Sequence, residues 1–234
     1  MTVPDLTIDR SACVERIDLD RHSWVDMVHG FVREPKEHLD HLVSTAAWGQ
    51  TEVLRYDRYV PENRLGTGMR SDALPLLRQT DLHLQSRYRV NFEGVAALLY
   101  RDGNDFQGLH SDRMMRWLDD TLIAIVVLGE RRPFVVRPRT DWVAAAANRV
   151  PAGDHPDDIV LLPGEGDMLV MGGACQRDWL HGVPAHVTSQ PRLSLTWRWS
   201  SRRGRPDTNP GHYDGRQFGG ESVRQGSRWR RSTS

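Results

Sequence analysis

Residues 121–139 read TLIAIVVLGERRPFVVRPR. Two β-branched runs flank the short segment GERRP. That is the pattern of paired strands, and it predicts a hairpin. The same signal recurs on either side. VAALLYRDGND (95–105) is an apolar run that ends in a turn rich in Asp, Gly and Asn. GDMLVMGGACQ (166–176) and RLSLTWRW (192–199) read as two more strands. Several short strands separated by turns point to a two-sheet sandwich or jelly roll.

The N-terminal third reads differently. PKEHLDHLVSTAAW (35–48) predicts a helix, with Pro35 in its first turn and Leu39, Leu42, Val43, Ala46 and Ala47 at helical spacing. RYDRYVPENRLGTGMRSDALP (55–75) is punctuated by Pro, Gly and Asn and reads as a loop. DALPLLRQTDLHLQSRY (72–88) has a helical pattern that Pro75 weakens. No internal repeat is visible. The fold class expected is mainly β with flanking helices.

The 234 residues suffice for one substantial core. Net charge is zero, but residues 201–234 hold eight Arg against Asp207, Asp214 and Glu221, so the tail carries +5 and residues 1–200 carry −5. Bulk charge therefore does not make the body a basic nucleic-acid module. The tail, rich in Arg and Gly, reads as flexible. Cys13 and Cys175 do not make a disulfide framework. The first residues lack a basic segment followed by an apolar one, and no apolar run approaches a membrane span. A cytoplasmic protein, off the membrane and monomeric, is expected.

The stretch GLHSDRM (108–114) holds the first chemical signal. Residues i and i+2 of a strand point to one face with Cα atoms roughly 7 Å apart. His110 and Asp112 can therefore present an imidazole and a carboxylate to one point. With a second histidine they form a 2-His-1-carboxylate set, which leaves adjacent positions open on an octahedral metal. His181, expected between two strands, is the candidate for that third ligand, and His186 is its rival. In 192–199, Leu193, Leu195, Trp197 and Trp199 share one face, and Arg192, Ser194, Thr196 and Arg198 share the other. The two guanidinium groups, on Cα atoms about 20 Å apart, can converge on a short dicarboxylate, which arginine recognises with forked, paired bonds. The competing reading is an edge strand with its charges turned to water.

Taken in order, LLYRDGNDFQGLHSD, IAIVVLGERRPFVVR, GDMLVMGGACQRDWLHGVP and RLSLTWR resemble the AlkB-like Fe(II)- and 2-oxoglutarate-dependent dioxygenases, from about Arg87 to Trp199. The resemblance implies a double-stranded β-helix, or jelly roll, with helices and a lid on its N-terminal side. One domain over 1–200 follows, with a lid at about 50–75 and the core at about 87–200. The resemblance also implies that His110, Asp112 and His181 hold Fe(II). Arg192 would pair with the distal carboxylate of 2-oxoglutarate, Arg198 would lie near the chelating carboxylate, and Tyr100 would contact the cosubstrate. It implies consumption of O2, release of succinate and hydroxylation of a C–H bond. On an N-methylated base the hydroxylated product collapses to formaldehyde. No catalytic residue beyond the metal ligands is called for.

The chain departs from the family pattern at three places. Leu98 and Ser194 stand where the family often has Asn, and RMMR (113–116) stands where repair enzymes commonly carry an acid. In the lid, Arg64 follows Asn63 where the family has a Pro-Arg element. Tyr56 and Tyr59 are the aromatics able to stack on a base. Alkylated DNA or RNA is the substrate implied, with repair as the role. The alternative is the same chemistry on a protein or small molecule, and a third reading is a non-enzymatic jelly-roll binding module.

Overall fold

The computed structural model describes residues 6–55, 58–112, 115, 118–139 and 150–201. Tyr56, the tail from residue 202, and Arg113, Met114 and Arg116 lie outside the described residues. In chain order the elements are β1 (Val14–Asp18), β2 (Ser23–Val28), α1 (Pro35–Thr45), β3 (Gly49–Arg55), β4 (Arg58–Met69), α2 (Pro75–Tyr88), β5 (Glu93–Tyr100) and β6 (Gln107–His110). Then follow β7 (Thr121–Gly129), β8 (Phe134–Pro138), β9 (Ile159–Leu161), β10 (Met168–Gly173), α3 (Cys175–Asp178), β11 (Trp179–Val183) and β12 (Arg192–Ser200). Eight strands form a larger sheet in the order β1-β2-β10-β7-β12-β5-β4-β3. Four form a smaller sheet in the order β6-β11-β8-β9.

The apolar run of β7 is explained by its place. It lies between β10 and β12, and both of its faces are covered. Leu122, Ala124, Val126 and Leu128 join a core that also holds Leu39 and Leu42 of α1 and Leu76, Leu77 and Leu84 of α2. Ile123, Ile125 and Val127 face the other way and pack with Phe134, Val136 and Val183 of the smaller sheet. Each buried Leu, Ile, Val or Phe among them contributes about 1.5–3 kcal/mol. The molecule is thus three layers: helices, larger sheet, smaller sheet.

The expected hairpin across GERRP is not what forms. β7 stays in the larger sheet, and β8 pairs with β11 and β9 in the smaller one. Gly129 turns the chain with φ +83, where a Cβ would collide with the Pro191 carbonyl. Arg132 then draws the connection into the other layer. Fully buried, it donates to the carbonyls of Asp102 (3.1 Å), Asp105 (2.8 Å) and Pro184 (2.8 Å).

Three further expectations are corrected. The supposed loop 55–75 is largely β4, which pairs with β5 from Leu65↔Leu99 to Met69↔Val95 and with β3 on its other side. Leu65, Thr67 and Met69 alternate with Gly66 and Gly68, a strand period hidden by glycine. The lid region is therefore mostly a β-hairpin at the edge of the larger sheet. Pro75 starts α2 rather than weakening it, because the first helical position needs no N–H donor. α1 ends at Thr45, short of Trp48. β1 and β2 were not anticipated. Among the described residues, no helix is long and apolar enough to cross a membrane.

Candidate active site

Two cross-strand pairs, one in each sheet, build the site. In the smaller sheet His110 at the end of β6 faces His181 on β11, with ring centroids 4.3 Å apart. In the larger sheet Arg192 on β12 faces Tyr100 on β5. Side chains of directly opposed residues meet on one face, so topology alone assembles most of the constellation.

Asp112 completes the first pair. One ligand atom each from His110, Asp112 and His181 lies within 4.8 Å of the other two. His110 Nε2 is 3.6 Å from Asp112 Oδ1, and its Nδ1 is 3.0 Å from the Gly108 carbonyl. A proton on Nδ1 would bond that carbonyl and leave Nε2 as the donor atom for a metal; the Gln107 side-chain amide also lies 3.3 Å from Nδ1. His181 is 7% exposed and packs near Phe134 at 5.8 Å. Burial first, then the neighbouring His110, hold its imidazole pKa well below the usual range, so it stays neutral and keeps a lone pair for coordination. Burial pushes the Asp112 carboxyl up, but Arg198 and then His110 outweigh it and hold it well below the ordinary carboxylate range. Arg198 Nε donates to Asp112 Oδ2 at 2.6 Å. The Asp112 N–H donates to Gln176 Oε1 at 2.9 Å.

His181 lies within β11, not between strands as expected. Its rival His186 is exposed on the following loop, and its backbone is bonded to Gly103. A Cβ on Gly103 would run into the His186 carbonyl, so glycine is needed for this close approach.

The second pair is a pocket for an anion. Arg192 is fully buried, yet among the described residues its Nε and Nη2 have no hydrogen-bond partner. Its Nη1 donates to the Ser194 hydroxyl at 2.5 Å. Burial, opposed by Tyr100 and reinforced by Arg132 and Arg64, brings its pKa down to about 10, so it remains a cation at neutral pH. A buried cation with unused donors is costly, and a carboxylate supplies what is missing. The three guanidinium carbons of Arg64, Arg132 and Arg192 lie 5.8, 5.4 and 5.3 Å from the centre of the Tyr100 ring. The two departures Leu98 and Ser194 are themselves register partners between these strands. The edge-strand alternative for β12 does not hold, because β5 and β7 flank it. Its polar face looks into the space between the sheets.

The donor set of two imidazoles and one carboxylate fits a divalent iron, and the partnerless donors of Arg192 fit a dicarboxylate cosubstrate. Arg198 is brought to Asp112 of the candidate triad. Arg64, expected at the substrate, is buried; its Nη1 donates to the Tyr100 hydroxyl at 3.0 Å and its Nη2 pairs with Glu62 at 3.0 Å. Tyr59 lies in β4 opposite Leu54. Arg132 and Gln176 were passed over in the sequence. An arginine in a turn between apolar strands reads as exposed, and a glutamine bonded to a backbone 64 residues away leaves no local pattern.

Residues 25–198 match the family model of the 2OG-Fe(II) oxygenase superfamily. The alpha-ketoglutarate-dependent dioxygenase alkB homolog 3 of Mus musculus is 28% identical over 210 residues, 79% of this chain and 69% of that protein. The DNA oxidative demethylase ALKBH2 of Arabidopsis thaliana is 28% identical over 160 residues; the match covers 62% of this chain and about half (48%) of that protein. Among solved structures, HygX from Streptomyces hygroscopicus, with nickel and 2-oxoglutarate bound, shares the fold with a TM-score of 0.53. It is 13% identical, over 76% of this chain and 83% of HygX. With its iron-type triad beside a carboxylate pocket, the chain belongs to the 2OG-Fe(II) oxygenase superfamily, as an AlkB-like dioxygenase that uses Fe(II) and 2-oxoglutarate.

Proposed function

We propose that this chain oxidatively demethylates alkylated bases in DNA or RNA and serves nucleic-acid repair. The chemistry rests on one observation above all: the buried Arg192, with unused Nε and Nη2, beside the His110–Asp112–His181 cluster. The nucleic-acid substrate is supported by the two relatives, one of which is named a DNA oxidative demethylase. We place catalysis in a single domain over residues 1–200, in a monomeric cytoplasmic protein, with 201–234 as an appended tail.

His110 Nε2, one Asp112 oxygen and a His181 nitrogen hold the metal. Bound there, iron supplies oxygen activation and C–H oxidation, coupled to decarboxylation of 2-oxoglutarate. Arg192 takes the distal carboxylate of the cosubstrate. The Tyr100 hydroxyl accepts from Arg64, so its own hydrogen remains available to donate to the same carboxylate. Arg198 fixes the Asp112 carboxylate and leaves its other oxygen toward His110. Leu98, Ile125, Phe134 and Val136 wall the space between the sheets and exclude water. A base in a duplex must leave the stack to reach such an interior. Tyr56, Tyr59 and Arg64 belong to the segment we assign to holding the nucleotide, with Arg64 acting from behind through Tyr100.

The test is formaldehyde release from N-methylated oligonucleotides, with succinate measured alongside. Release dependent on Fe(II) and 2-oxoglutarate is expected. Succinate without formaldehyde from any methylated oligonucleotide would move the substrate to a protein or small molecule. No succinate at all would leave a binding module.

A further inference from the structure

Gln176 stands where the two ligand-bearing segments meet. It lies in α3, the four-residue turn between β10 and β11, five positions before His181. Its side chain is 1% exposed and crosses to Asp112, whose backbone N–H donates to Oε1 at 2.9 Å. That donor also fixes which end of the amide is oxygen. From the other side, Arg139 donates to the Ser111 hydroxyl and, at 3.3 Å, to the Gln176 carbonyl. The Asp112 backbone is thus held from the turn that leads into His181, and Arg139, just after β8, bonds both the Ser111 side chain and that turn. Meanwhile Gln176 Nε2 is buried without a hydrogen-bond partner among the described residues. An orphaned amide N–H is a cost that an apolar residue of the same length would avoid. The residue therefore gains from its oxygen, and among the described residues the bond that oxygen accepts is from the Asp112 backbone.

We infer that Gln176 is a positioning residue for the metal, its side-chain oxygen holding the Asp112 backbone so that the carboxylate meets the two imidazoles. Arg198 orients the Asp112 carboxylate, and Gln176 sets where that side chain starts. The inference rests on the metal-centre reading and is independent of the substrate.

The experiment titrates Co(II) into the metal-free full-length protein and follows calorimetry and the visible absorption of the bound ion. Circular dichroism confirms folding of each variant. Gln176→Met fills the same space without the acceptor. Its Co(II) affinity should fall by about 10–100-fold, the usual effect of losing an outer partner of a ligand. Gln176→Glu keeps an oxygen and removes the orphaned donor; it should bind within about threefold of the original protein or more tightly. Gln176→Met binding as tightly as the original protein would overturn the inference, as would Gln176→Glu binding as weakly as Gln176→Met. If Gln176→Met does not fold, Gln176→Glu decides alone: retained affinity supports the acceptor contact, and loss overturns it. An original protein that binds no Co(II) would overturn the metal centre itself, and this inference with it.

Discussion

Arg198 Nε lies 2.6 Å from Asp112 Oδ2, a bond that joins the central region of the larger sheet to the metal-ligand segment beside the smaller one. In the metal-free protein that guanidinium is a positive charge bonded directly to Asp112. A double-mutant cycle of Arg198→Met with Asp112→Asn should therefore show favourable coupling. Arg198 is about a third exposed, so solvent screening limits the coupling to about 1–2 kcal/mol. Denaturant unfolding of the four proteins measures it. Coupling below about 0.5 kcal/mol would mean that the pair adds no net stability.

Arg192→Met should act in opposite directions on binding and on stability. The distal carboxylate of 2-oxoglutarate loses its charged partner, which costs about 2–5 kcal/mol, at least tenfold in affinity. The cosubstrate-free protein loses a buried cation with unused donors, so its melting temperature should rise. Calorimetric titration and a thermal melt decide. A variant that melts lower and still binds 2-oxoglutarate would make Arg192 a structural residue.

Replacing a ligand tests the triad. His110→Ala, Asp112→Ala and His181→Ala should each abolish Fe(II)-dependent succinate formation in a folded protein. His186→Ala should leave it intact, since His186 is exposed on the loop that follows β11. The reverse result for His181 and His186 would reassign the third ligand.

The parts of this arrangement that were legible are those with a local period. H-x-D is visible as a spacing, although β6 ends at His110 and Asp112 reaches the histidines from just beyond the strand rather than from its face. In β12 the alternation of Leu193, Leu195 and Trp197 with Arg192, Ser194 and Thr196 separates the two faces correctly. Period two does not say which sheet a strand enters, so β7 and β8 read as a hairpin although they lie in different layers. The decisive contacts there are the three carbonyls bound by Arg132, from segments 27 to 52 residues away. β4 was hidden because glycine, proline and asparagine weigh toward a loop, and its pairing with β5 outweighs that preference. His181 is chosen over His186 from an expected place between two strands and by resemblance to a family, and its register opposite His110 within β11 supplies the physical reason.

The two cysteines should differ sharply in reactivity. Burial pushes the Cys175 thiol up to about 12, so almost no thiolate exists at pH 8, while Cys13 is exposed. Iodoacetamide on the native protein at pH 8 should modify Cys13 and spare Cys175, and denaturant should expose both. Equal labelling under native conditions, read by peptide mass, would show that the β10–α3 junction opens readily.

Deleting residues 202–234 tests the Arg-rich tail. The deletion removes eight arginines and a net charge of +5. Binding to single-stranded oligonucleotides should weaken and its salt dependence should become shallower, because fewer counterions are released. Succinate formation without nucleic acid should not change. Unchanged affinity with an unchanged salt slope would leave nucleic-acid binding to the hairpin of β3 and β4.

His110 and His181 belong to the smaller sheet and Asp112 follows the end of β6, whereas Tyr100, Arg192 and Arg198 belong to the larger one. A metal ion held by the proposed triad would therefore stitch one layer to itself, and a cosubstrate held by that metal and by Arg192 would span the gap between layers. Slow amide exchange should register the difference. Metal alone should protect amides of β6 and β11, and protection should reach β5 and β12 only when 2-oxoglutarate is added. The cosubstrate is in this sense a temporary rivet between two sheets that the polypeptide joins mainly through apolar side chains.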